Sequence, residues 1–138
     1  MTAKPLNVVL VEDDEVDVMN VQRAFEKASI LAPVFRAGDG VEALDLLRGS
    51  SLPAARRLVL LDLNMPRMNG IEFLHELRAD ERLRNTTVVV LTTSDDERDK
   101  MDAFEMNVAG YLLKPVTFAS FVDLMSALDR YWTQAEIA

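Results

Sequence analysis

Short apolar runs alternate along the chain with longer segments in which apolar residues recur every three or four positions. Uninterrupted apolar runs of about five residues are typical of strands buried on both faces. Five short, mainly apolar runs predict strands at residues 7–11, 33–37, 58–62, 87–92 and 109–113. The periodic segments predict amphipathic helices at about 15–29, 39–48, 70–85, 94–107 and 117–134. The chain is therefore expected to alternate strand and helix five times.

This alternation implies a parallel sheet, because each return to a parallel neighbour crosses over through a helix. The central parts of the first, third and fourth runs are uniformly apolar, as expected in the middle of a sheet: VVLV at 8–11, LVLL at 58–61 and VVVL at 88–91. Runs 33–37 and 109–113 are mixed, as expected at its edges. The pattern predicts an α/β fold with five parallel strands in the order 2-1-3-4-5, a doubly wound, flavodoxin-like (βα)5 sandwich of three layers. Its 138 residues predict a single domain over 1–138.

Acidic and hydroxyl side chains mark the expected starts of three helices. Asp14 is suited to cap the first helix, and Asp39 with Glu42 three residues later has the spacing of a capping box. Ser94 and Glu97 repeat that spacing, so the fourth helix is expected to be capped by Ser94.

Charge and composition exclude several classes of function. The chain has 23 acidic and 15 basic residues and a formal net charge of -8, which argues against nucleic-acid binding and against binding to an anionic membrane surface. It has no cysteine, so disulfides and thiolate chemistry are excluded. No apolar run approaches the roughly 20 residues that a membrane-spanning helix needs. We therefore expect a cytoplasmic protein.

Polar residues follow the apolar runs at the points where the predicted strands end. Glu12 and Asp13 follow the first strand and Asp62 ends the third, so the order 2-1-3-4-5 brings three carboxylates together where ligands of such sheets bind. Three converging carboxylates, helped by a main-chain carbonyl, suit magnesium. Thr92 and Lys114 are expected at the same edge, adding a hydroxyl and an ammonium. Acids, metal, hydroxyl and lysine together predict a phosphoryl-transfer site.

Four motifs in this order and spacing resemble those of a response-regulator receiver domain of two-component signalling. They are VLVEDD at 9–14, LLDLNMPRMNG at 60–70, VVLTTS at 89–94 and GYLLKP at 110–115. Three features look most like stand-alone regulators such as those paired with bacteriophytochromes: the Glu12-Asp13 start, the missing output domain and the VVLTTS strand. The resemblance implies no output domain, so a signal would leave through a partner or through self-association.

The resemblance also implies roles for the residues at the carboxyl edge. Asp62 matches the phosphoacceptor, and Mg²⁺ or Mn²⁺ would be held by Asp13, by Asp62 and by the main-chain carbonyl of Asn64. Glu12 stands where the family more often has Asp, and it would act through a metal-bound water.

Three further positions match residues that respond to the phosphoryl group. Thr92 matches the switch hydroxyl, Lys114 the lysine that pairs with phosphoryl oxygens, and Tyr111 the aromatic switch residue that turns inward on activation. The family also suggests a cis bond between Lys114 and Pro115.

The implied function is phosphorelay signalling, in which Asp62 accepts a phosphoryl group from a phosphohistidine of a sensor histidine kinase and later loses it to water. The chain would then not turn over an external substrate. An alternative is a phosphorylation-independent protein-binding module, favoured if bulky Thr93 closes the site. A small-molecule phosphatase is a third reading, but it normally has a second catalytic Asp where this chain has Asn64.

The last predicted helix carries more apolar residues than one docking face requires. We expect the excess to form a homodimer or partner interface with Leu124, Leu128, Tyr131 and Trp132 at its centre. The downstream partner itself is not named by the sequence.

Overall fold

The structure is a computed structural model, and it describes residues 6–135. The strands are β1 (Asn7–Val11), β2 (Val34–Ala37), β3 (Arg57–Leu61), β4 (Thr87–Thr92) and β5 (Gly110–Leu113). The helices are α1 (Glu15–Lys27), α2 (Gly40–Arg48), α3 (Gly70–Ala79), α4 (Glu97–Glu105) and α5 (Phe118–Gln134). The predicted alternation of strand and helix is confirmed.

The five strands form one parallel sheet in the order β2-β1-β3-β4-β5. Val9 lies between Phe35 of β2 and Val59 of β3, which fixes the register at the centre. The last four residues of β1 and β3 and the last five of β4 are buried, whereas β2 and β5 are largely half-buried. The prediction that uniformly apolar runs occupy the centre of the sheet is therefore confirmed.

Successive strand residues point to opposite faces of the sheet, so the central strands supply two cores. The face covered by α2, α3 and α4 contains, among others, Val9, Val59, Val90, Leu44, Phe73, Leu74, Leu77 and Ala103. The face covered by α1 and α5 contains, among others, Val8, Leu60, Leu91, Val21, Phe25, Phe121 and Met125. This packing holds the carboxyl ends of β1, β3 and β4 side by side.

Side-chain caps define where α1 and α5 begin. Asp14 Oδ1 accepts hydrogen bonds from the backbone N–H groups of Val16 and Asp17 at 2.8 and 3.1 Å, and the Thr117 hydroxyl accepts one from Ser120 N at 3.1 Å. Each cap satisfies donors that have no partner within the helix. The cap predicted at Asp14 is confirmed.

Helix α3 ends at Ala79, several residues before the end predicted near residue 85. Asp80 leaves the helix in an extended conformation, and its side chain accepts a hydrogen bond from Arg82 N at 2.9 Å and forms an ion pair with Arg48. This local bonding competes with the helix, so the chain continues in turns. Leu83 is still buried, which explains why the apolar spacing looked continuous.

Helix α4 is capped by Asp96, and the prediction of a capping box at Ser94 was wrong. Asp96 Oδ1 accepts hydrogen bonds from Arg98 N and Asp99 N at 2.8 and 3.2 Å. Ser94 Oγ instead donates to Asp99 Oδ2 at 2.6 Å. Both residues prefer N-cap positions, and the carboxylate two residues later takes the role here.

Within residues 6–135, no helix is long and apolar enough to cross a membrane.

Candidate functional site

The Asp62 carboxylate lies directly after β3 and is nearly buried. Thr92, the last residue of β4, donates its hydroxyl to Asp62 Oδ1 at 2.8 Å, and Asn64 N lies 3.3 Å from the same oxygen. The Thr92 side chain is fully buried because β3 and β4 are central neighbours. The strand pairing thus brings together the predicted acceptor and the predicted hydroxyl.

The Lys114 ammonium enters the same pocket from β5. Its backbone N–H donates to Thr92 O at 2.9 Å, which continues the pairing of β4 with β5 beyond the last strand residue. Lys114 Nζ lies 2.6 Å from Glu12 Oε1, 2.7 Å from Asp17 Oδ2 and 3.4 Å from Asp62 Oδ2. Burial opposes the charged form, but the hydrogen bonds to Asp17 and Glu12 outweigh it and raise the pKa of Lys114. The lysine therefore stays charged inside the pocket.

The Glu12 side chain is 3% exposed at the end of β1. Burial raises the pKa of Glu12 to about 7, although the hydrogen bond from Lys114 opposes the shift, and the charge of Asp62 adds to it. Its second oxygen accepts a hydrogen bond from Asp14 N at 3.2 Å. A divalent cation near this carboxylate, in addition to the Lys114 ammonium, would favour the charged form of Glu12.

Three carboxylates are positioned to hold a cation. Glu12, Asp13 and Asp62 each offer an oxygen, and these oxygens lie within 4.8 Å of one another. Asp13 is exposed while the other two are buried, so the cluster opens to solvent on one side. An all-oxygen, mostly anionic donor set with solvent access suits Mg²⁺ or Mn²⁺, since such ions keep several waters. The role predicted for the Asn64 carbonyl stays a prediction.

Two residues that the sequence analysis missed make direct contacts with residues of this site. Arg36 on β2 donates from Nε and Nη2 to Glu12 O at 3.3 Å each, and from Nη2 to Asp13 O at 3.2 Å. The same guanidinium forms an ion pair with Glu15 at 2.6 Å. Asp17 on α1 is the second missed residue, through its contact with Lys114. A basic residue on an edge strand beside β1 was the available signal for Arg36.

Hydrogen bonds connect the segment after Asp62 to the start of α2 and to the start of α3. Arg67 donates to Asp39 Oδ2 at 2.6 Å, and Gly70 N donates to Leu63 O at 3.0 Å. Burial opposes ionisation of Asp39, but the backbone N–H of Glu42 and the Arg67 guanidinium outweigh it and hold its pKa below the usual value. These contacts fix the path of the chain that follows the candidate acceptor.

Tyr111 lies on β5 and is half-buried. Its hydroxyl donates to Ser94 O at 2.8 Å, and its ring lies 6.3 Å from that of Phe104, measured between centroids. It therefore bridges β5 to the segment leading into α4. Its predicted role as a switch stays a prediction.

The four residues of the predicted interface lie in two different environments. Leu124, Leu128 and Trp132 are half-buried and pack against the core between α1, α5 and the sheet. Tyr131 is 65% exposed and contacts the edge of the Trp132 ring, with centroids 4.8 Å apart. Part of the apolar excess on α5 thus serves this chain's own core. The homodimer stays a prediction.

The expected cis bond between Lys114 and Pro115 was wrong, because no peptide bond in the described part of the chain is cis. The trans form is the lower-energy isomer even before proline.

Comparisons with known proteins agree with this geometry. Residues 8–126 match the response regulator receiver domain family. The chain is 39% identical over 133 residues to the probable methanogenesis regulatory protein FilR2 of Methanothrix harundinacea, covering 93% of this chain and 84% of that protein. It is 32% identical over 133 residues to response regulator Rcp1 of Synechocystis, covering 94% of this chain and 90% of that protein.

Solved structures give the same result. The phosphorylated cyanobacterial phytochrome response regulator RcpA matches with a TM-score of 0.86 at 30% identity, covering 97% of this chain and 99% of that one. The Mn²⁺-bound form of response regulator Rcp1 matches with a TM-score of 0.83 at the same identity and coverage. The receiver fold and the likeness to phytochrome-associated regulators are confirmed. The chain belongs to the receiver domain family of response regulators, which serve phosphorelay signalling in two-component systems.

Proposed function

We propose that Asp62 is the phosphoacceptor of this receiver domain. The observation that carries the proposal is the environment of its carboxylate: a hydroxyl donor at 2.8 Å from one oxygen and an ammonium at 3.4 Å from the other. A phosphoryl group on Asp62 would bring oxygen anions to the place where Thr92 and Lys114 already offer donors. Such preorganised donors stabilise charge that develops during transfer.

Asp13, Asp62, the Asn64 main-chain carbonyl and, through water, Glu12 would hold the divalent cation. When bound, Mg²⁺ or Mn²⁺ supplies positive charge against the phosphoryl oxygens and reduces repulsion between them and the carboxylates. The oxygen donor set of Glu12, Asp13 and Asp62 supports this assignment.

The donor in this proposal is a phosphohistidine of a sensor histidine kinase. An oxygen of the Asp62 carboxylate attacks the phosphorus, a P–O bond forms, and the P–N bond to the imidazole breaks. The imidazole nitrogen leaves with the bonding electron pair and takes a proton from water. Thr92 and Lys114 then bind the oxygens of the new acyl phosphate.

Water returns the protein to its starting state. It attacks the phosphorus, the P–O bond to Asp62 breaks, and the products are free phosphate and the carboxylate. Receiver domains generally do not turn over an external substrate, and this hydrolysis ends a signal instead. We propose that phosphorylation and hydrolysis take place in the cytoplasm. We also propose that residues 1–138 form a single domain.

The signal would leave through the surface of α4, β5 and α5. Movement of Thr92 and Lys114 towards a phosphoryl group would repack Tyr111 and bias this surface between two arrangements. Exposed apolar side chains on it include Met101, Phe104, Leu113, Val116 and Phe118. We propose a homodimer through the α5 region that contains Leu124, Leu128, Tyr131 and Trp132 as one readout.

The test is phosphorylation by acetyl phosphate with Mg²⁺, followed by intact-mass measurement. The wild type should gain one phosphoryl group, and Asp62→Asn should gain none. Asp45→Asn is the matched control, because it makes the same chemical change at an exposed position on α2. Equal modification of wild type and Asp62→Asn would refute the assignment.

A second measurement, the melting temperature with and without Mg²⁺, distinguishes a phosphoryl-accepting domain from a phosphorylation-independent binding module. If the wild type is never modified, and Mg²⁺ does not raise its melting temperature by mass action, a phosphorylation-independent module is the better description.

A further inference from the structure

Lys114 Nζ is shared unequally among three carboxylates. It lies 2.6 and 2.7 Å from oxygens of Glu12 and Asp17 but 3.4 Å from Asp62. An ammonium has three donors, and the two short contacts are within hydrogen-bond range while the third is longer than usual. The lysine is therefore held mainly by residues other than the proposed phosphoacceptor.

Asp17 differs from the other two carboxylates in origin and exposure. Glu12 and Asp62 follow strands and are 3% and 9% exposed at their side chains, whereas Asp17 belongs to α1 and is 34% exposed. If Lys114 moved away, water could solvate the Asp17 carboxylate at once. Glu12 would instead be left buried and unpaired, which is costly. Asp17 is thus the partner that Lys114 can most easily give up.

A phosphoryl group on Asp62 would change which anionic oxygens attract the Lys114 ammonium most strongly. It would add anionic oxygens that attract the ammonium from the side where the existing contact is longest. The charge of Asp17 opposes that shift, because it attracts the same ammonium from α1 at 2.7 Å. Asp17 also adds negative charge near a site that must accept an anion.

We propose that Asp17 is a positioning residue that competes with a phosphoryl anion on Asp62 for Lys114, and so weakens binding of that anion. The inference rests on the proposed function of Asp62. It assigns to α1 a direct influence on how readily the phosphorylated state forms.

The test is titration of the full chain with beryllofluoride, a mimic of the phosphoryl group, followed by amide NMR at saturating Mg²⁺. Saturation is established separately for each variant, because removing a carboxylate also affects the cation. Asp17→Asn should bind beryllofluoride roughly two- to fivefold more tightly, the range expected for one partly exposed ion pair. Asp17→Glu keeps the charge and should restore affinity close to that of the wild type.

The matched control is Glu26→Gln, which removes one negative charge from an exposed position at the far end of α1. It should leave beryllofluoride affinity unchanged. A merely structural role for Asp17 predicts weaker binding with a lower melting temperature, so unchanged or weaker binding by Asp17→Asn overturns the inference. An equal gain in Glu26→Gln overturns it too, because the effect would then be one of net charge.

Different results would refute the role of Asp62 and the role of Asp17. If the wild type binds no beryllofluoride, or if Asp62→Asn binds it as well as the wild type does, the proposed function falls and this inference falls with it. If the wild type binds and Asp62→Asn does not, but Asp17→Asn shows no gain, only the role of Asp17 is refuted.

Discussion

Gly70 lies where the chain returns towards the proposed acceptor, and replacing it by alanine tests how tightly that segment is built. A Cβ at Gly70 would lie 2.7 Å from both Asp62 O and Leu63 Cα, and 2.8 Å from Leu63 Cδ2. Two of these atoms belong to the backbone, so no rotation of a side chain can relieve the contact. The φ angle of Gly70 is not positive, so the requirement is for space rather than for backbone freedom.

The loss of stability depends on how far the backbone at Asp62 and Leu63 must shift to make room for the new Cβ. Overpacking in a close-packed region costs about 1–3 kcal/mol, and contact with backbone belongs near the upper end. Alanine's better helix propensity offsets at most about 1 kcal/mol. We expect Gly70→Ala to lower the free energy of unfolding by about 2 kcal/mol. For a chain of this length, that corresponds to a fall of roughly 8 °C in melting temperature.

Two of the other four glycines, Gly40 and Gly110, provide a graded control series. A Cβ at Gly110 would have its nearest neighbour, Val89 Cγ1, at 3.9 Å, which is ordinary contact. A Cβ at Gly40 would lie 2.7 Å from Met68 Cγ, part of a flexible side chain that can move aside. Destabilisation should therefore rank Gly70→Ala above Gly40→Ala, with Gly110→Ala close to the wild type.

Urea unfolding followed by circular dichroism gives the free energies, and beryllofluoride titration reports on the site. Because the displaced backbone adjoins Asp62, Gly70→Ala should also bind beryllofluoride more weakly under conditions where it is fully folded. If Gly70→Ala and Gly110→Ala were equally stable, the close approach of α3 to the segment after β3 would be refuted.

Three further changes probe the site and its supports. Thr92→Val removes the hydroxyl that donates to Asp62 and should cost about 1–3 kcal/mol in unfolding experiments; Thr92→Ser should retain most of that stability, and equal losses would contradict the role of the hydroxyl. Arg36→Gln removes the contacts to the backbone carbonyls of Glu12 and Asp13, so Mg²⁺ affinity measured by calorimetry should fall severalfold; unchanged affinity would show that the contacts do not position the site. Asp39→Asn should lower stability at neutral pH. Because folding lowers the pKa of this carboxyl from 3.8, the difference from wild type should persist above pH 4 and shrink as the pH falls below it; a difference that grows in acid would refute the assignment.

Much of the site could be predicted from the sequence because parallel strands end at one edge of a sheet. The positions of Glu12, Asp13, Asp62, Thr92 and Lys114 follow once the apolar runs are ordered, since each lies at or just beyond the end of a strand. Backbone pairing carries that prediction, and it depends little on side-chain detail.

Helix boundaries were harder to predict because neighbouring residues compete for the same role. Ser94 and Asp96 both suit an N-cap, and the outcome depended on which side chain reached the free N–H groups. Leu83 kept a helical spacing beyond Asp80 although the backbone had already turned. Such choices differ by small free energies that apolar periodicity does not register.

What the sequence by itself determined is the alternating α/β fold, the strand order and the set of polar residues at the carboxyl edge, because hydrophobic periodicity and parallel pairing depend on local patterns. What only the tertiary structure decided is how those residues are connected. Asp17 reaches Lys114 and Arg36 reaches the carbonyls after β1 because α1 and β2 pack in one particular orientation. The half-buried state of Leu124, Leu128 and Trp132 likewise depends on how α5 docks against α1 and the sheet. Contacts between separate elements depend on these packing orientations, which spacing along one element does not contain.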